Sequence, residues 1–519
     1  MMRLFGSLLA SSTPSKQPLL VLERSLAAYL VTVNHSRFFS DQPTAIPDHK
    51  HSFLQTDEVV TDFKAKITKN AIRVMSITNV KPDKPTPDNL RSHKLSLLDQ
   101  IHSPSYVPFV FFYQNNDNSN INNDKTVFER SKLMKKSLSE TLTRFYPMAG
   151  KFIDDSHIDC NDEGAYYIET QVDGTLSSYL TKPDYRSLQE LLPMPPNLKE
   201  PMRGYYLVMI QVNFFNCGGI AIGMCNFHKL IDGGTYSTFL NSWALASKLS
   251  ETQDKVKIAS PSFPSSTLFF QTTQAPKYPA YPVSSLAIWS AMYKTGKSSM
   301  KRFVFNSSSI STLKEKANES GSSSRVVAVI SLIWKCAMKQ HAERESVLQI
   351  AVNLRGKFSP PLPQNTVGNF VWNAVAMSDP NQDAGLKTMV KNMNSGIVKV
   401  GTGFVEGFKG EQGPVKLVKE LKKLGEKISS HEVEYYSASS MCRSGINEAD
   451  FGWGKPVWVF YGNLTENLPL YTNAILLMDT SEGDGIEAWV TLSQEDMEVF
   501  ECDPDILLYA SVEPSPLPC

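Results

Sequence analysis

The amino-acid sequence predicts two α/β domains joined by an extended crossover, and three observations lead to this prediction. The chain has 519 residues, more than a single compact domain usually contains. Apolar, β-branched runs alternate with segments of helical periodicity both before about residue 250 and after residue 301. Between these regions, residues 259–285 are rich in proline and serine, a composition typical of a connector. We therefore divide the chain into an N-terminal extension (1–64), an N-terminal domain (65–255), a crossover linker (256–300) and a C-terminal domain (301–519).

The composition excludes several classes of protein. Hydrophobic residues make up 41% of the chain and charged residues 20%, a balance typical of folded domains with sizeable cores. The 52 Lys and Arg residues are matched by 52 Asp and Glu residues, so the chain lacks the basic excess with which nucleic-acid-binding proteins neutralise phosphates. The seven cysteines are scattered, odd in number and never spaced as CxxC, which argues against a disulfide framework and a zinc site. We expect no nucleic-acid partner and no bound metal.

The first 40 residues differ from ordinary domain sequence. They contain one acidic residue, Glu23, against four basic residues and many serines, a composition typical of organelle transit peptides. Residues 37–40 (RFFS) also resemble a mitochondrial presequence cleavage site. A poorly ordered extension or an over-long gene prediction fits the same composition. The best candidate for a membrane span, residues 18–33, carries Glu23 and Arg24 in its middle, so no span is predicted.

In the N-terminal domain, the strongest strand signal is residues 106–113 (YVPFVFFY), a run of aromatic and β-branched side chains that predicts a buried strand. An earlier strand is predicted to begin near Ile72 and to end before Pro82. Residues 114–125 are mostly Asn and Asp and predict an exposed loop. After this loop, apolar residues at helical intervals predict an amphipathic helix that ends near Tyr146.

The C-terminal domain repeats the alternation of helices and strands. An apolar helix is predicted over residues 326–339, and strands are predicted around residues 457–461 and 475–479. No internal repeat is visible in the sequence, which argues against a solenoid or a propeller.

The most informative segment begins with residues 220–227 (IAIGMCNF), a continuous apolar run of the kind expected for a strand buried on both faces. His228 follows the run, Asp232 lies four residues later, and two glycines then precede a predicted helix. The apolar face of that helix consists of Tyr236, Phe239, Leu240, Trp243 and Ala244. His228 therefore lies where a buried strand passes into a loop, a common position for a catalytic residue. A histidine at a strand end can also be purely structural, and a lone HxxxD pattern is a weak signal.

A second pattern, residues 450–454 (DFGWG), adds specificity to the first. Two glycines around a tryptophan allow a sharp turn and a close backbone approach. Together the two patterns resemble the signature motifs of the plant BAHD acyltransferases, in the same order and at a similar separation. Further segments agree with this resemblance: residues 96–100 (SLLDQ), 146–150 (YPMAG), 159–164 (DCNDEG), 352–355 (VNLR) and 368–369 (GN).

The resemblance extends from about residue 70 to near the end of the chain and is nearest to the branch that acetylates alkaloid alcohols. It implies an α/β, two-domain fold similar to chloramphenicol acetyltransferase, with a channel between the domains. It also implies a monomeric enzyme in the cytoplasm, although the N-terminal extension leaves mitochondrial or plastid targeting open. No permanently bound cofactor is implied, and acyl-CoA, expected to be acetyl-CoA, serves as co-substrate.

The same resemblance makes His228 the general base, reached by acyl-CoA from one side of the channel and by an alcohol from the other. An imidazole with an ordinary pKa of about 6.5 is mostly neutral in the cytosol and can take the hydroxyl proton. The oxygen then attacks the thioester in a ternary complex, and the expected acceptor is an alkaloid or a related specialised metabolite. The alternatives are a hydroxycinnamoyl- or benzoyl-CoA O- or N-acyltransferase, and a non-catalytic family member that acts as a binding protein.

The resemblance also implies roles for residues in and around the two motifs. A triad in which Asp232 orients His228 is one possibility, but the family pattern implies that Asp232 points away from the channel and pairs with Arg355. The residues of the second motif are implied to be structural: Asp450, Gly452, Trp453 and Gly454.

Two further predictions concern the groups that stabilise negative charge. Ser439 stands where the family has a Thr or Ser implicated in binding the oxyanion, although it also belongs to a serine-rich run. Met441 stands where a Trp is commoner. A CoA-phosphate site is predicted where hydroxyls and an arginine precede the helix at residue 326, with a plain N-cap as the alternative; its residues are Ser323, Ser324 and Arg325.

Other chemistries find little support in the sequence. Cys225 lies three residues before His228 but within the apolar run, where a cysteine is usually inert packing. His431 and Glu432 lack the second histidine of the HExxH zinc motif. Neither a GxSxG elbow nor a complete GxGxxG fingerprint occurs.

Overall fold

The computed structural model describes residues 72–102, 104–115, 123–154, 156–193, 205–251, 260–269, 292–317, 323–381, 385–410, 412–428, 433–462 and 470–517. The predicted N-terminal extension and most of the predicted crossover linker lie outside these ranges.

The strands of the described residues are β1 (Ile72–Val80), β2 (Ser92–Lys94), β3 (Tyr106–Tyr113), β4 (Lys151–Phe152), β5 (His157–Asp159), β6 (Ala165–Val172), β7 (Val208–Phe215), β8 (Ile220–Phe227), β9 (Lys294–Thr295), β10 (Ser298–Phe305), β11 (Glu345–Asn353), β12 (Val371–Ser378), β13 (Val433–Ser440), β14 (Trp458–Tyr461), β15 (Leu470–Tyr471), β16 (Asn473–Asp479), β17 (Ile486–Ser493) and β18 (Ser511–Val512). The α-helices are α1 (Leu97–Ile101), α2 (Asn123–Arg144), α3 (Leu176–Leu180), α4 (Tyr185–Gln189), α5 (Gly233–Glu251), α6 (Ser265–Leu268), α7 (Ser307–Ala317), α8 (Arg325–Ala337), α9 (Leu386–Val398), α10 (Thr402–Glu406), α11 (Gly413–Ile428), α12 (Gln494–Phe500) and α13 (Pro504–Leu507). Short 3-10 helices span Asp88–Leu90, Tyr146–Ala149, Met338–His341, Arg355–Lys357 and Ile446–Glu448.

The first sheet carries the predicted N-terminal strands in the order β1-β6-β7-β8-β3-β14. Every residue of β7 and β8 is buried, which explains why residues 220–227 form a continuous apolar run instead of an alternating one. The helices α2 and α5 pack against each other, and their apolar residues, such as Leu138 and Phe239, join the core of this sheet.

The last strand of this sheet comes from the segment predicted as the C-terminal domain. β14 follows the DFGWG motif and pairs antiparallel with β3, so that Trp458 lies opposite Phe112. Ala449 and Phe451 are buried in the same core as the N-terminal strands. The segment predicted as a separate domain, residues 301–519, therefore contributes a strand to the first sheet, through a long-range pairing that no local sequence pattern reveals.

The second sheet contains seven strands in the order β12-β11-β13-β16-β17-β10-β18. Along β17, Ala488 and Val490 join the apolar residues of α7, α8 and α9 in a second core, whereas Trp489 between them packs in the first core. This alternation is the two-residue period of a strand. It turns one face of the second sheet towards its own helices and the other face towards the first half of the molecule.

Most predicted elements occur where the sequence places them. Residues 106–113 form β3, and the helix predicted over 326–339 is α8 followed by a 3-10 turn. The loop predicted over 114–125 is wrong at its end, because α2 begins at Asn123 and polar residues are tolerated at a helix start. None of the helices in the described ranges combines the length and the apolar character needed to cross a bilayer.

Candidate active site

A cavity of about 1070 Å³ is lined by residues from both halves of the chain. One wall comes from residues 104–109 and from the turn between β8 and α5. The other comes from β11, β13, β16 and β17 and from the turn at residues 441–445. His228 lies on the first of these walls, so the cavity corresponds to the channel that the family resemblance implies.

The backbone of His228 is held from two directions. Its N–H donates to the carbonyl oxygen of Ser105 (2.8 Å), which fixes it to the chain entering β3. Its carbonyl oxygen accepts a hydrogen bond from Nδ2 of Asn369 (2.8 Å), a residue from the other half of the chain. The ring atom Nδ1 is buried and makes no hydrogen bond to any of the described residues. The histidine therefore has a fixed position at the junction of the two halves.

Burial lowers the pKa of His228 below its ordinary value, because the protonated ring is deprived of water. Its own carbonyl oxygen, the charge of Asp232 and the side chain of Asn369 act in the opposite direction but do not reverse the shift. The sequence predicts an ordinary pKa for this histidine, whereas its burial in the structure lowers that pKa. The neutral imidazole, the form that accepts a proton, therefore predominates at neutral pH.

Asp232 is fully occupied by partners other than His228. Its two oxygens accept hydrogen bonds from Arg355 (2.7 and 2.9 Å), from the N–H of Thr235 (2.8 Å) and from the N–H of Phe370 (3.0 Å). Burial by itself would raise the pKa of Asp232, but the charge and hydrogen bonds of Arg355 outweigh it and hold the pKa below its usual range. The carboxylate has no hydrogen bond to His228, so the geometry is that of a salt bridge and not of a triad.

Arg355 uses its other donors on backbone carbonyls of its own half of the chain and on the hydroxyl of Thr235 (3.1 Å). Nε and Nη2 donate to the carbonyl oxygen of Thr366 (3.1 and 3.0 Å), and Nη2 also reaches the carbonyl oxygen of Gly368 (3.1 Å). A Cβ atom at Gly234 would lie 2.8 Å from Nη1 of Arg355. The second glycine after the HxxxD motif is therefore needed for the guanidinium to approach α5.

The DFGWG motif lies away from the cavity, since none of its residues lines the wall. Asp450 accepts hydrogen bonds from the N–H groups of Gly452 and Gly454 (2.9 Å each) and from Lys248 at the end of α5 (2.6 Å). Gly452 and Gly454 have φ values of 114° and 106°, which other residues rarely adopt. Trp453 stacks on the buried ring of Phe451. The motif therefore forms a tight turn shortly before β14.

Ser439 and Met441 occupy the second wall of the cavity. Ser439 lies on β13 and lines the same cavity as His228. Met441 is buried, its N–H donates to Leu477 (2.7 Å), and its sulfur would lie 2.6 Å from a Cβ at Gly233. Met441 thus packs against the start of α5, immediately after the HxxxD motif.

The predicted CoA-phosphate residues do not line the cavity. Ser323 is buried, and Ser324 caps α8 by accepting a hydrogen bond from the N–H of Val327 (3.1 Å). Arg325 forms an ion pair with Asp479 and donates to backbone carbonyls at residues 483 and 484. This arrangement favours the plain N-cap over the anion site, because a carboxylate already neutralises the arginine.

One group with metal-ligand chemistry lies elsewhere among the described residues. Atoms of Cys336, Asp503 and Asp505 lie within 4.8 Å of one another. Lys339 donates to both carboxylates (2.7 and 2.8 Å), and Lys335 donates to Asp505 (2.9 Å). Since the lysines already balance the charge of the carboxylates, the group is best described as an ion-pair network at the end of α8.

Sequence reasoning missed one neighbour of the candidate base, His102. Its ring stacks on that of His228, with centroids 5.1 Å apart and planes inclined by 27°. Nδ1 of His102 lies 2.7 Å from the carbonyl oxygen of Leu98, and burial together with the charge of His228 lowers its pKa to about 3. The two histidines meet because β3 pairs antiparallel with β8. That pairing is the only signal that would have revealed the contact, and a single sequence does not show it.

The family model described as the Transferase family matches residues 70–507. Epi-neemfruitin B 7-O-acetyltransferase from Melia azedarach is 36% identical over 463 residues, covering 86% of this chain and 99% of that protein. Limonoid 7-O-acetyltransferase from Citrus sinensis is 35% identical over 463 residues, with the same coverage of each chain. Salutaridinol 7-O-acetyltransferase from Papaver somniferum is 33% identical over 467 residues, covering 83% of this chain and 96% of that protein.

Among solved structures, that of vinorine synthase matches with a TM-score of 0.68 and 30% identity, over 85% of this chain and 98% of that one. These likenesses confirm the predicted two-domain α/β fold and the predicted resemblance to plant O-acetyltransferases. The chain belongs to the Transferase family, the BAHD acyltransferases of plant specialised metabolism.

Proposed function

We propose that the protein transfers an acetyl group from acetyl-CoA to a hydroxyl of an alkaloid, a limonoid or a related specialised metabolite. The observation that carries this proposal is the position of His228, a histidine with a lowered pKa on the wall of a cavity that both halves of the chain line. Relatives named for O-acetylation of epi-neemfruitin B, limonoids and salutaridinol support the donor and the class of acceptor.

The chemistry proceeds in a ternary complex. Neutral His228 accepts the proton of the acceptor hydroxyl as the oxygen attacks the thioester carbonyl of acetyl-CoA. The tetrahedral oxyanion needs a hydrogen-bond donor, and Ser439 on the facing wall supplies a hydroxyl suited to that role. When the intermediate collapses, the carbon–sulfur bond breaks and protonated His228 returns its proton to the thiolate of CoA. No covalent enzyme intermediate forms.

The cavity walls suit a largely apolar acceptor that carries scattered oxygen atoms. The first wall offers apolar surface from Tyr106, Phe109 and Ile231. Trp489 and Thr472 line the second wall, and the indole N–H and the hydroxyl of these residues are buried with no hydrogen-bond partner among the described residues. Buried donors of this kind gain free energy when a ligand oxygen accepts from them. The combination of an apolar first wall with buried hydrogen-bond donors at the second wall supports an oxygenated metabolite as acceptor.

Calorimetric titration of the full-length protein with acetyl-CoA, and then with benzoyl- and hydroxycinnamoyl-CoA, tests the choice of donor without knowledge of the acceptor. We expect saturable binding of acetyl-CoA. Incubation with limonoid and alkaloid alcohols is then expected to give products heavier by one acetyl group, and His228→Ala is the matched inactive control.

Two results would redirect the proposal. Tighter binding and faster transfer of a bulkier thioester would identify the protein as a hydroxycinnamoyl- or benzoyltransferase. Failure of the folded protein to bind any thioester would favour the non-catalytic alternative.

A monomeric state, a cytoplasmic location and the absence of a permanently bound cofactor also follow from the family resemblance and remain part of the proposal. Light scattering of the purified protein tests the first. N-terminal sequencing of the protein isolated from its tissue tests the second, since an intact Met1 or Met2 in the cytosol would contradict organelle import.

A further inference from the structure

Asn369 lies between the two halves of the molecule, in the segment that precedes β12, and its side chain is fully buried. Its main-chain N–H donates to Oδ1 of Asp99 (2.7 Å). Its side-chain Nδ2 donates to the carbonyl oxygen of His228 (2.8 Å) and also faces Oδ1 of Asp99 (3.2 Å). Through these hydrogen bonds, Asn369 links α1 and the end of β8 to the second half of the chain.

These contacts fix the orientation of the Asn369 amide. Nδ2 faces two acceptors, and a flipped amide would bring Oδ1 against both of them. Oδ1 must therefore point away from Asp99 and from the carbonyl of His228. It is buried there and has no hydrogen-bond donor in the part of the chain that the structure describes. A buried amide oxygen without a donor is uncommon in a folded protein and needs an explanation.

The complementary unpaired atom belongs to the ring of His228. Nδ1 of His228 is buried without a partner among the described residues, and the side chain of Asn369 already reaches this residue through the bond from its Nδ2 to the main-chain carbonyl of His228. The main-chain carbonyl of His228, the charge of Asp232 and, as the smallest of the three effects, the side chain of Asn369 favour the protonated ring and so raise the pKa of His228 against the effect of burial. Asp232 does not bind the ring of His228, because its oxygens already accept hydrogen bonds from Arg355 and from backbone N–H groups.

We propose that Asn369 is the residue that orients the imidazole of His228, keeping the proton on Nδ1 so that Nε2 is the basic nitrogen. This inference rests on the proposed role of His228 as general base. Nδ1 keeps its proton throughout the reaction while Nε2 takes the hydroxyl proton and returns it to the CoA thiolate, so Asn369 never changes its own protonation. Asn369 is a positioning residue and does not touch the substrates.

Asp99 is the second member of this arrangement. Its Oδ2 accepts from the N–H and the hydroxyl of Ser96 (2.9 and 2.7 Å), which leaves Oδ1 for Asn369. Asp99 is buried, so its carboxyl is fixed by α1 and in turn fixes the amide. The chain of contacts therefore runs from α1 through Asn369 to the main chain of His228.

Three variants of the full-length protein test the proposal. Asn369→Leu keeps the approximate size of the side chain and removes both hydrogen-bonding atoms. Asn369→Asp keeps an acceptor and removes the donor to the carbonyl of His228. Thr366→Val is the matched control, because Thr366 is fully buried in the same segment and its hydroxyl has no partner.

Two measurements are made on these proteins. Steady-state kinetics give kcat and KM for acetyl transfer. The nitrogen NMR spectrum of protein labelled with ¹⁵N-histidine reports which ring nitrogen of His228 carries the proton, with the signal assigned by its loss in His228→Gln.

We expect His228 of the parent to carry its proton on Nδ1. Asn369→Leu is expected to lower kcat by about 10- to 100-fold, as removal of an orienting hydrogen bond commonly does, with little change in KM for acetyl-CoA. Asn369→Asp is expected to keep more activity than Asn369→Leu, and Thr366→Val to match the parent.

A parent His228 that carries its proton on Nε2, or an Asn369→Leu protein with the kcat of the parent, would overturn the proposal. If Asn369→Leu does not fold, the spectrum of the parent still decides the question. Failure of the proposed function looks different, because the parent protein would then show no acetyl transfer, whatever the tautomer of its His228.

Discussion

Arg355 binds the carboxylate of Asp232 through two hydrogen bonds of 2.7 and 2.9 Å, although the residues are 123 positions apart in the sequence. Both side chains are buried, so water does not screen their charges. One comes from the turn that carries His228 and the other from the 3-10 turn after β11. The ion pair therefore joins the two halves of the molecule next to the candidate base.

Substitution of Asp232 is expected to harm stability at least as much as catalysis. Asp232→Ala leaves Arg355 buried without a counter-charge, and we expect it to lower the free energy of unfolding by about 3–5 kcal/mol, measured by denaturant titration. Glu420→Gln, which breaks an exposed ion pair with Lys423, is the control and should cost at most about 1 kcal/mol. A soluble Asp232→Asn protein with the stability of the parent but no turnover would show a catalytic role instead.

Gly234 is expected to tolerate no side chain. A methyl group there would lie 2.8 Å from Nη1 of Arg355, and that guanidinium is held by its other hydrogen bonds. We expect Gly234→Ala to lower the free energy of unfolding by about 1–3 kcal/mol. Gly403→Ala is the matched control, because it lies in α10 with nothing within 4 Å and should be neutral or slightly stabilising. Equal stability of both variants would mean that the guanidinium can move aside.

His228→Ala is expected to abolish most of the turnover without loss of the fold. General base catalysis typically contributes about 10²- to 10⁴-fold, so we expect kcat to fall by that factor. The affinity for acetyl-CoA, measured by calorimetry, should be unchanged. Retained turnover would remove His228 from the mechanism.

The pH dependence of kcat/KM is expected to follow the lowered pKa of His228. The neutral ring is the active form, so activity is lost as the pH falls through the pKa. Because burial lowers that pKa, the acidic limb should lie below the ordinary value of about 6.5. An acidic limb above that value would show that the charge of a neighbour outweighs burial.

The burial of His102 is expected to make the free energy of unfolding depend on pH. Its folded-state pKa is lowered to about 3, whereas in the unfolded chain it is about 6.5. Between these values the unfolded state binds a proton that the folded state does not, so stability is lost as the pH falls. His102→Phe keeps a stacked ring and is expected to reduce that loss by up to about 1.4 kcal/mol per pH unit, measured by denaturant titrations at pH 5 and 7. His157→Gln, at a half-buried position, is the control, and an equal effect of both variants would contradict the prediction.

Local patterns in the sequence were sufficient to predict β3, β8, α5 and α8, because each has a continuous or periodic apolar signal of its own. His228 could be selected because a buried strand ends there and because a second motif supports the family resemblance. The contacts that complete the site depend on strand pairing and on side chains distant in sequence. His102 and Asn369 reach His228 in this way. The serines and the arginine before α8 leave both an anion site and a plain N-cap open in the sequence, because the two use the same residue types, and the ion pair with Asp479 is visible only in the structure.

The strand that follows the DFGWG motif also constrains how this protein can fold during synthesis. β3 is bordered by β8 on one side and by β14 on the other, so a nascent chain that ends before residue 458 exposes one edge of β3. That edge belongs to a segment of aromatic and β-branched residues, of the type that pairs readily between molecules. Fragments cut at the crossover are therefore expected to aggregate, and the two halves are expected to mature together and not as separable modules.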